Sequence, residues 1–265
     1  MPCREQRTLA MKLKKEKIGL VIILVIFAIS GSLIFLHDPI AQDTHYHLFN
    51  DQRMFFGVPN FFNVISNIPF LFIGIIGIQW LRHSTSERFK QEIKFSYSVL
   101  FVGVSLVAIG SGYYHLWPSN ETLVWDRLPM TIAFMALFSI IIGEFISVRF
   151  GQPLLITLLF LGIISVAYWY FTESQNSGDL RLYVLVQFLP ILITPIILLF
   201  FNPSFTLPSG YWLLLGTYLL AKVLEEYDSE VFHILPLLSG HSLKHLAAAM
   251  GIFLLINSYK NRRQA

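Results

Sequence analysis

One cysteine, Cys3, is found in the 265 residues. A single thiol excludes an internal disulfide framework and a thiolate metal site, and it says little about redox compartment. Charge is scarce too. Asp, Glu, Lys and Arg make up 13% of the chain, where soluble domains carry about a quarter. No internal repeat and no low-complexity tract interrupts the chain. What the chain has instead is apolar surface: 55% hydrophobic residues, 24 of the total being phenylalanine. So few charges cannot coat a water-soluble globule of this size, whereas lipid solvates the outside of an apolar bundle directly. The expected class is an all-α, polytopic membrane helical bundle.

A bilayer core of about 30 Å needs roughly 20 residues of apolar helix. Eight stretches qualify: Ile18–Leu36, Asn60–Leu81, Phe95–Trp117, Leu128–Val148, Pro153–Phe171, Leu182–Phe201, Gly210–Glu226 and His241–Tyr259. The first follows a basic segment (Lys12, Lys14, Lys15, Lys17), as a secretory signal does. Its apolar run exceeds the about 7–15 residues of a signal core, so it reads as an uncleaved anchor.

The net charge of +3 matters less than its placement. Basic residues gather before the first span, in Arg82–Lys94, at Arg149 and in Lys260–Arg263, while the alternate loops hold Arg53, Arg127 and Arg181. The positive-inside rule then puts both termini in the cytoplasm.

Ionisable residues inside spans face the bundle interior and mark function. Five of the eight histidines fall in loops or interfaces and read as ordinary exposed side chains. Three do not. His115 ends the third span, and His241 and His245 open the eighth, which runs the opposite way. All three therefore share one layer near the non-cytoplasmic surface. Residues i and i+4 share a helix face, so His241 and His245 can converge on one ion. A third imidazole completes a usual catalytic zinc set with one open position. The bland alternative is a pair of interfacial histidines.

Ser111 lies one turn before His115, and Asp126 lies at the entrance to the fourth span. A carboxylate there can orient a ligand or accept a proton from water. Their structural readings are a helix-packing serine and an N-cap aspartate ahead of Pro129. Lys244 is rotated away from the histidines by about 100° per residue and is expected to snorkel outward. Lys222 with Glu225 or Glu226 reads as a structural ion pair, and Glu144 has no assigned role.

Gly110-Ser111-Gly112-Tyr113-Tyr114-His115, then Asp126, then His241-Ser242-Leu243-Lys244-His245 resemble the alkaline ceramidases. That family sits in a wider seven-span hydrolase superfamily that includes the adiponectin and progestin receptors. Phe61-Phe62-Asn63-Val64-Ile65-Ser66-Asn67 matches the family's Asn-x-x-Ser-Asn signature. The likeness covers roughly residues 45–260. It implies a seven-span hydrolase domain there, after a basic tail and one extra N-terminal span in residues 1–44 and before a basic tail at 261–265.

The resemblance further implies a zinc ion on His115, His241 and His245, with Ser111 and Asp126 assisting hydrolysis of a lipid amide. The products would be a fatty acid and a lipid amine. Animal members carry an acidic calcium site before the first core helix, but His45–Asn60 offers Asp51 without that carboxylate cluster, which counts against Ca2+. The expected partners are a lipid substrate, ceramide or a related N-acyl lipid, and the membrane, with no nucleic acid. The short loops look bacterial, so the expected location is an inner membrane with the site near the periplasmic face. The charge bias fits the endoplasmic reticulum as well. Two other classes compete: a receptor-like protein of the same fold with a structural zinc, and a metal transporter. The first lacks a long cytoplasmic domain for coupling, and the second lacks ligands along a path through the bilayer.

Overall fold

Residues 2–265 are described by a computed structural model; the side chains of residues 1–5 and 7–9, Cys3, Arg4 and Arg7 among them, lie outside the description. Among the described residues the regular structure is helical, with no strand beyond two isolated bridges. The chain begins with α1 (Pro2–Leu36), then α2 (Phe61–Ile65) and α3 (Ile68–His83). Next come α4 (Lys94–Leu116), α5 (Asn120–Phe145), α6 (Val148–Ser174) and α7 (Arg181–Phe200). The last are α8 (Ser209–Glu226), the short α9 (Asp228–Ile234) and α10 (Gly240–Asn261).

Six spans are long and apolar enough to cross a membrane: α1 from Ala10, α2 with α3, α4, α5, α6 and α7. α8 and α10, at 18 and 22 residues, are long enough but less apolar. Their polar residues explain this. Lys222, Glu225, His241, Lys244 and His245 are turned into the bundle, so lipid need not solvate them. The protein is an integral membrane helical bundle. α4 packs between α3 and α5, α5 against α6, and α8 along α10, while α1 lies mainly on α7.

Three local features depart from the simple spans. The basic segment before the first span is helical from Pro2, because residues 3–18 contain no Gly or Pro and many strong helix formers. The second span is broken between α2 and α3. Pro69, in the first turn of α3, has no N–H for the Ile65 carbonyl and its ring crowds that turn. The fourth span starts eight residues earlier than its apolar run, at Asn120, where Ser119 and Thr122 form a capping box. Asp126 is therefore not an N-cap. It sits inside α5, one turn before the internal Pro129.

That proline has a second effect. It cannot donate to the Trp125 carbonyl, and α4 covers that carbonyl with Gly110, where a Cβ would collide with the oxygen. Glycine is thus required for α4 and α5 to meet at this level.

At the end of the bundle away from the histidines, Glu144 of α5 is buried. Arg262 grips it through Nη2 to Oε1 (2.6 Å) and Nη1 to Oε2 (3.0 Å). The Tyr211 hydroxyl donates to the same carboxylate (2.7 Å), as does that of Tyr97. The guanidinium lies over Tyr259 and Phe205 at 4.0 and 4.1 Å. Arg262, counted above with a basic tail, is thus folded into the bundle, and Glu144 is its partner. Removing one member leaves a buried charge without its counter-ion. Arg262→Met should lower the unfolding free energy in detergent by about 3–5 kcal/mol, and adding Glu144→Gln should recover much of the loss. A single variant as stable as the parent would show that the pair does not hold the helix ends together.

Candidate active site

The site is built where α2, α4, α5 and α10 meet. His115 occupies the last turn of α4, and His241 and His245 occupy the first two turns of α10. Their ring centroids are 4.9 to 5.1 Å apart, and one nitrogen from each falls within 4.8 Å of the others. All three are buried. The antiparallel course of α4 and α10 places them in one layer.

The His245 ring is held by a hydrogen bond, and the other two rings by packing. The Ser66 hydroxyl donates to the Asn63 carbonyl (3.1 Å) and lies 2.8 Å from His245 Nδ1. With its proton engaged, the Ser66 oxygen accepts from His245 Nδ1–H, which leaves Nε2 unprotonated. His115 Nδ1 and His241 Nε2 are buried with no hydrogen-bond partner. Phe49 packs on both rings at 4.7 and 4.8 Å. Buried polar nitrogens without partners are uncommon. Two such nitrogens, converging with the ring of His245, fit a metal ion bound by neutral imidazoles.

The broken second span supplies the frame. Asn60 donates to the backbone carbonyl of His115 (2.8 Å). Asn63 accepts from the Ser242 hydroxyl (2.7 Å) and donates to the Asp51 carbonyl (3.1 Å). On the α10 side, Asp228 accepts from the His241 backbone N–H (2.6 Å) and from Asn50 (2.7 Å). Asp51 is itself taken up by Arg53, with contacts of 2.7 and 2.8 Å.

A cavity of about 720 Å³ opens beneath the histidines. Ser111, Asp126 and the three imidazoles line its polar end, and Leu100, Val104, Phe138 and Ile141 line its apolar depth. Both Ser111 and Asp126 are buried, and their side chains interact. One side of the cavity is formed by α7 and α8, consecutive helices that scarcely touch. Gln187 donates to the Tyr218 hydroxyl across that gap (3.2 Å). Such a gap suits a lipid arriving sideways from the bilayer.

A family model described as Ceramidase matches residues 50–202. The chain belongs to the ceramidase family. A search of curated proteins returns no match. The ceramidase match spans α2–α7, with Ser111, His115 and Asp126, and ends before His241 and His245. Those two histidines are joined to the matched part by the fold.

All five residues singled out in the sequence of this ceramidase-family chain line one cavity. Asn60 and Asp228 escaped the sequence reading, and Asn63 and Ser66 entered it only through the family signature. Asn60, Asn63 and Ser66 recur at helical spacing, a signal of one polar face, but their partners are 55 to 179 positions away. Asp228 sits in an acidic loop with nothing local to distinguish it. His47, read as exposed, is half-buried between the Tyr114 hydroxyl and Asn120, both at 3.0 Å. Lys244 does not snorkel outward; it turns into the cavity to meet Glu225.

Loss of the Ser66 hydrogen bond should free the His245 ring. Ser66→Ala is expected to weaken metal binding about 10–100-fold, measured by competition with a chelator. Unchanged affinity would mean that Ser66 does not orient the ring. Gly110→Ala should push α4 from α5 and separate Ser111 from Asp126. Turnover should then fall at least tenfold while the protein retains its metal; undiminished turnover would show that the close approach is dispensable.

Proposed function

We propose that the protein is a zinc-dependent amidohydrolase that works within the membrane on ceramide or a related N-acyl lipid, releasing a fatty acid and a lipid amine. The observation that carries this reading is the convergence of three buried imidazoles, two with orphaned nitrogens, at the polar end of a lipid-sized cavity. Membership of the ceramidase family supports the hydrolysis of ceramide.

His115, His241 and His245 would hold the ion. When bound, zinc supplies Lewis acidity, which makes a water a better nucleophile at neutral pH and polarises a carbonyl. The chain's own groups do the rest. The apolar depth takes the acyl chain and excludes bulk water, so that polar contacts at the amide are strong. Asp126 accepts the proton of the attacking water and returns it to the nitrogen as the C–N bond breaks. Ser111 donates to the carbonyl oxygen as negative charge builds there. Ser66, Asn60 and Asp228 position the ligands and touch no substrate. The charge bias of the loops supports a site facing away from the cytoplasm.

Purified protein in detergent should release fatty acid from ceramide, lose that activity on chelation and regain it with zinc. Release that persists after the metal has been stripped would sink the metal assignment. Asp126→Asn should retain the ion yet lower kcat by about 10²–10⁴-fold, the usual worth of a general base. Near-parental turnover in that variant would remove Asp126 from the proton path.

A further inference from the structure

The catalytic scheme leaves one charged group unused. Lys222 of α8 and Lys244 of α10 both pair with Glu225, at 2.6 and 2.5 Å. Two ammonium groups thus share one carboxylate, and all three side chains line the cavity that holds the histidines. Lys244 is enclosed, its side chain 14% exposed, whereas Lys222 is 37% exposed and stands at the rim.

A third cation lines the same cavity. Arg127 is 6% exposed and rests over Trp169 and Tyr183 at 4.1 and 4.6 Å. Its Nη2 donates to Gln42 (2.6 Å), while its Nη1 is buried with no partner. Among the described residues no carboxylate lies within ion-pair distance of it. Against these three cations the enclosed part of the cavity sets Glu225 and Asp126. Glu226 also borders the cavity but is exposed, and it forms no ion pair among the described residues. Counted alike, with the rim groups Lys222 and Glu226 both in or both out, cations and carboxylates are equal in number, but two ammonium groups share Glu225 and Arg127 has no carboxylate within ion-pair distance among the described residues. A buried cation without a counter-ion of its own is unfavourable until one arrives.

We propose that the lipid cleaved here carries an anionic oxygen group, phosphate or carboxylate, on its headgroup, and that Lys222, Lys244 and Arg127 recognise it. This rests on the reading that an N-acyl lipid is hydrolysed at the histidine site. The headgroup is the part concerned, because Lys222 lies at the exposed rim while the deeper wall is apolar and suits the acyl chain. Ammonium and guanidinium groups form strong charge-assisted hydrogen bonds with such oxygens.

The test compares two lipids on the metal-replete protein in detergent: ceramide, and the same ceramide phosphorylated on its primary hydroxyl. The phosphorylated lipid should have the higher kcat/KM by roughly tenfold to a hundredfold, the worth of one or two charge-assisted hydrogen bonds. Lys222→Gln should shrink that preference, and Glu225→Gln, which frees both ammonium groups, should enlarge it. If one variant fails to fold, the other still gives a shift of defined sign. Equal kcat/KM for the two lipids overturns the proposal while leaving amide hydrolysis standing. So does a preference that neither variant moves. Inhibition by oleate that weakens in Lys222→Gln, without any preference between the substrates, would assign the cations to the product carboxylate and also overturn it. Release from neither lipid removes the hydrolase reading and this inference together.

Discussion

Three imidazoles can converge on one point inside a membrane protein only if something else satisfies their remaining polar atoms and fixes their tautomers. Here the α2 segment does this for His245, and it holds α4 and α10 beside the other two rings. Ser66, at the end of α2, meets α10, and Asn60, at its start, meets the end of α4, before Pro69 interrupts the span. Asn63 ties the same segment to Ser242 on the face between the two α10 histidines. The site therefore depends on a short, irregular piece of backbone that is tolerated because protein encloses it.

Proline and glycine act together on the opposite wall. Pro129 frees the Trp125 carbonyl, and Gly110 lets α4 approach that carbonyl closely. This contact lies beside Ser111 and Asp126, so the two polar side chains meet where the backbones are nearest. At the far end, the buried Glu144–Arg262 pair joins α5 to the residue that follows α10. The arrangement holds α10 at both ends: by Asp228 and the α2 segment near the site, and by Arg262 at the other. A helix carrying two side chains proposed to bind a metal needs such anchorage, because small shifts in ligand position weaken binding sharply.

Charge is used sparingly, and several of the buried charges have an opposite partner. Asp179 is gripped by Arg181, whose guanidinium holds that carboxyl below the usual carboxylate range, and Arg181 also donates to the His37 carbonyl beyond α1 (2.7 Å). Asp51 is engaged by Arg53. The cavity differs, since Arg127 has no acidic partner there among the described residues and two lysines share Glu225. It is also where the bundle is least closed, between α7 and α8. Open packing and incompletely paired cations at one place distinguish this cavity from the structural core around it.

Much of this was written in the chain itself. A scarcity of charge and long apolar runs determine a helical membrane bundle, because only lipid can solvate that much apolar surface. The histidines, Ser111 and Asp126 stood out because ionisable and polar groups are costly in spans unless they face inward. The partnerships were decided only by the tertiary structure. That Ser66 meets His245, that Asp228 caps His241, that Arg262 neutralises Glu144 and that Lys244 turns inward all depend on contacts between distant segments. Helical periodicity specifies which face a residue occupies, but not which helix that face will meet. That choice is made by the packing of the whole bundle, through breaks and close approaches at Pro69, Pro129 and Gly110.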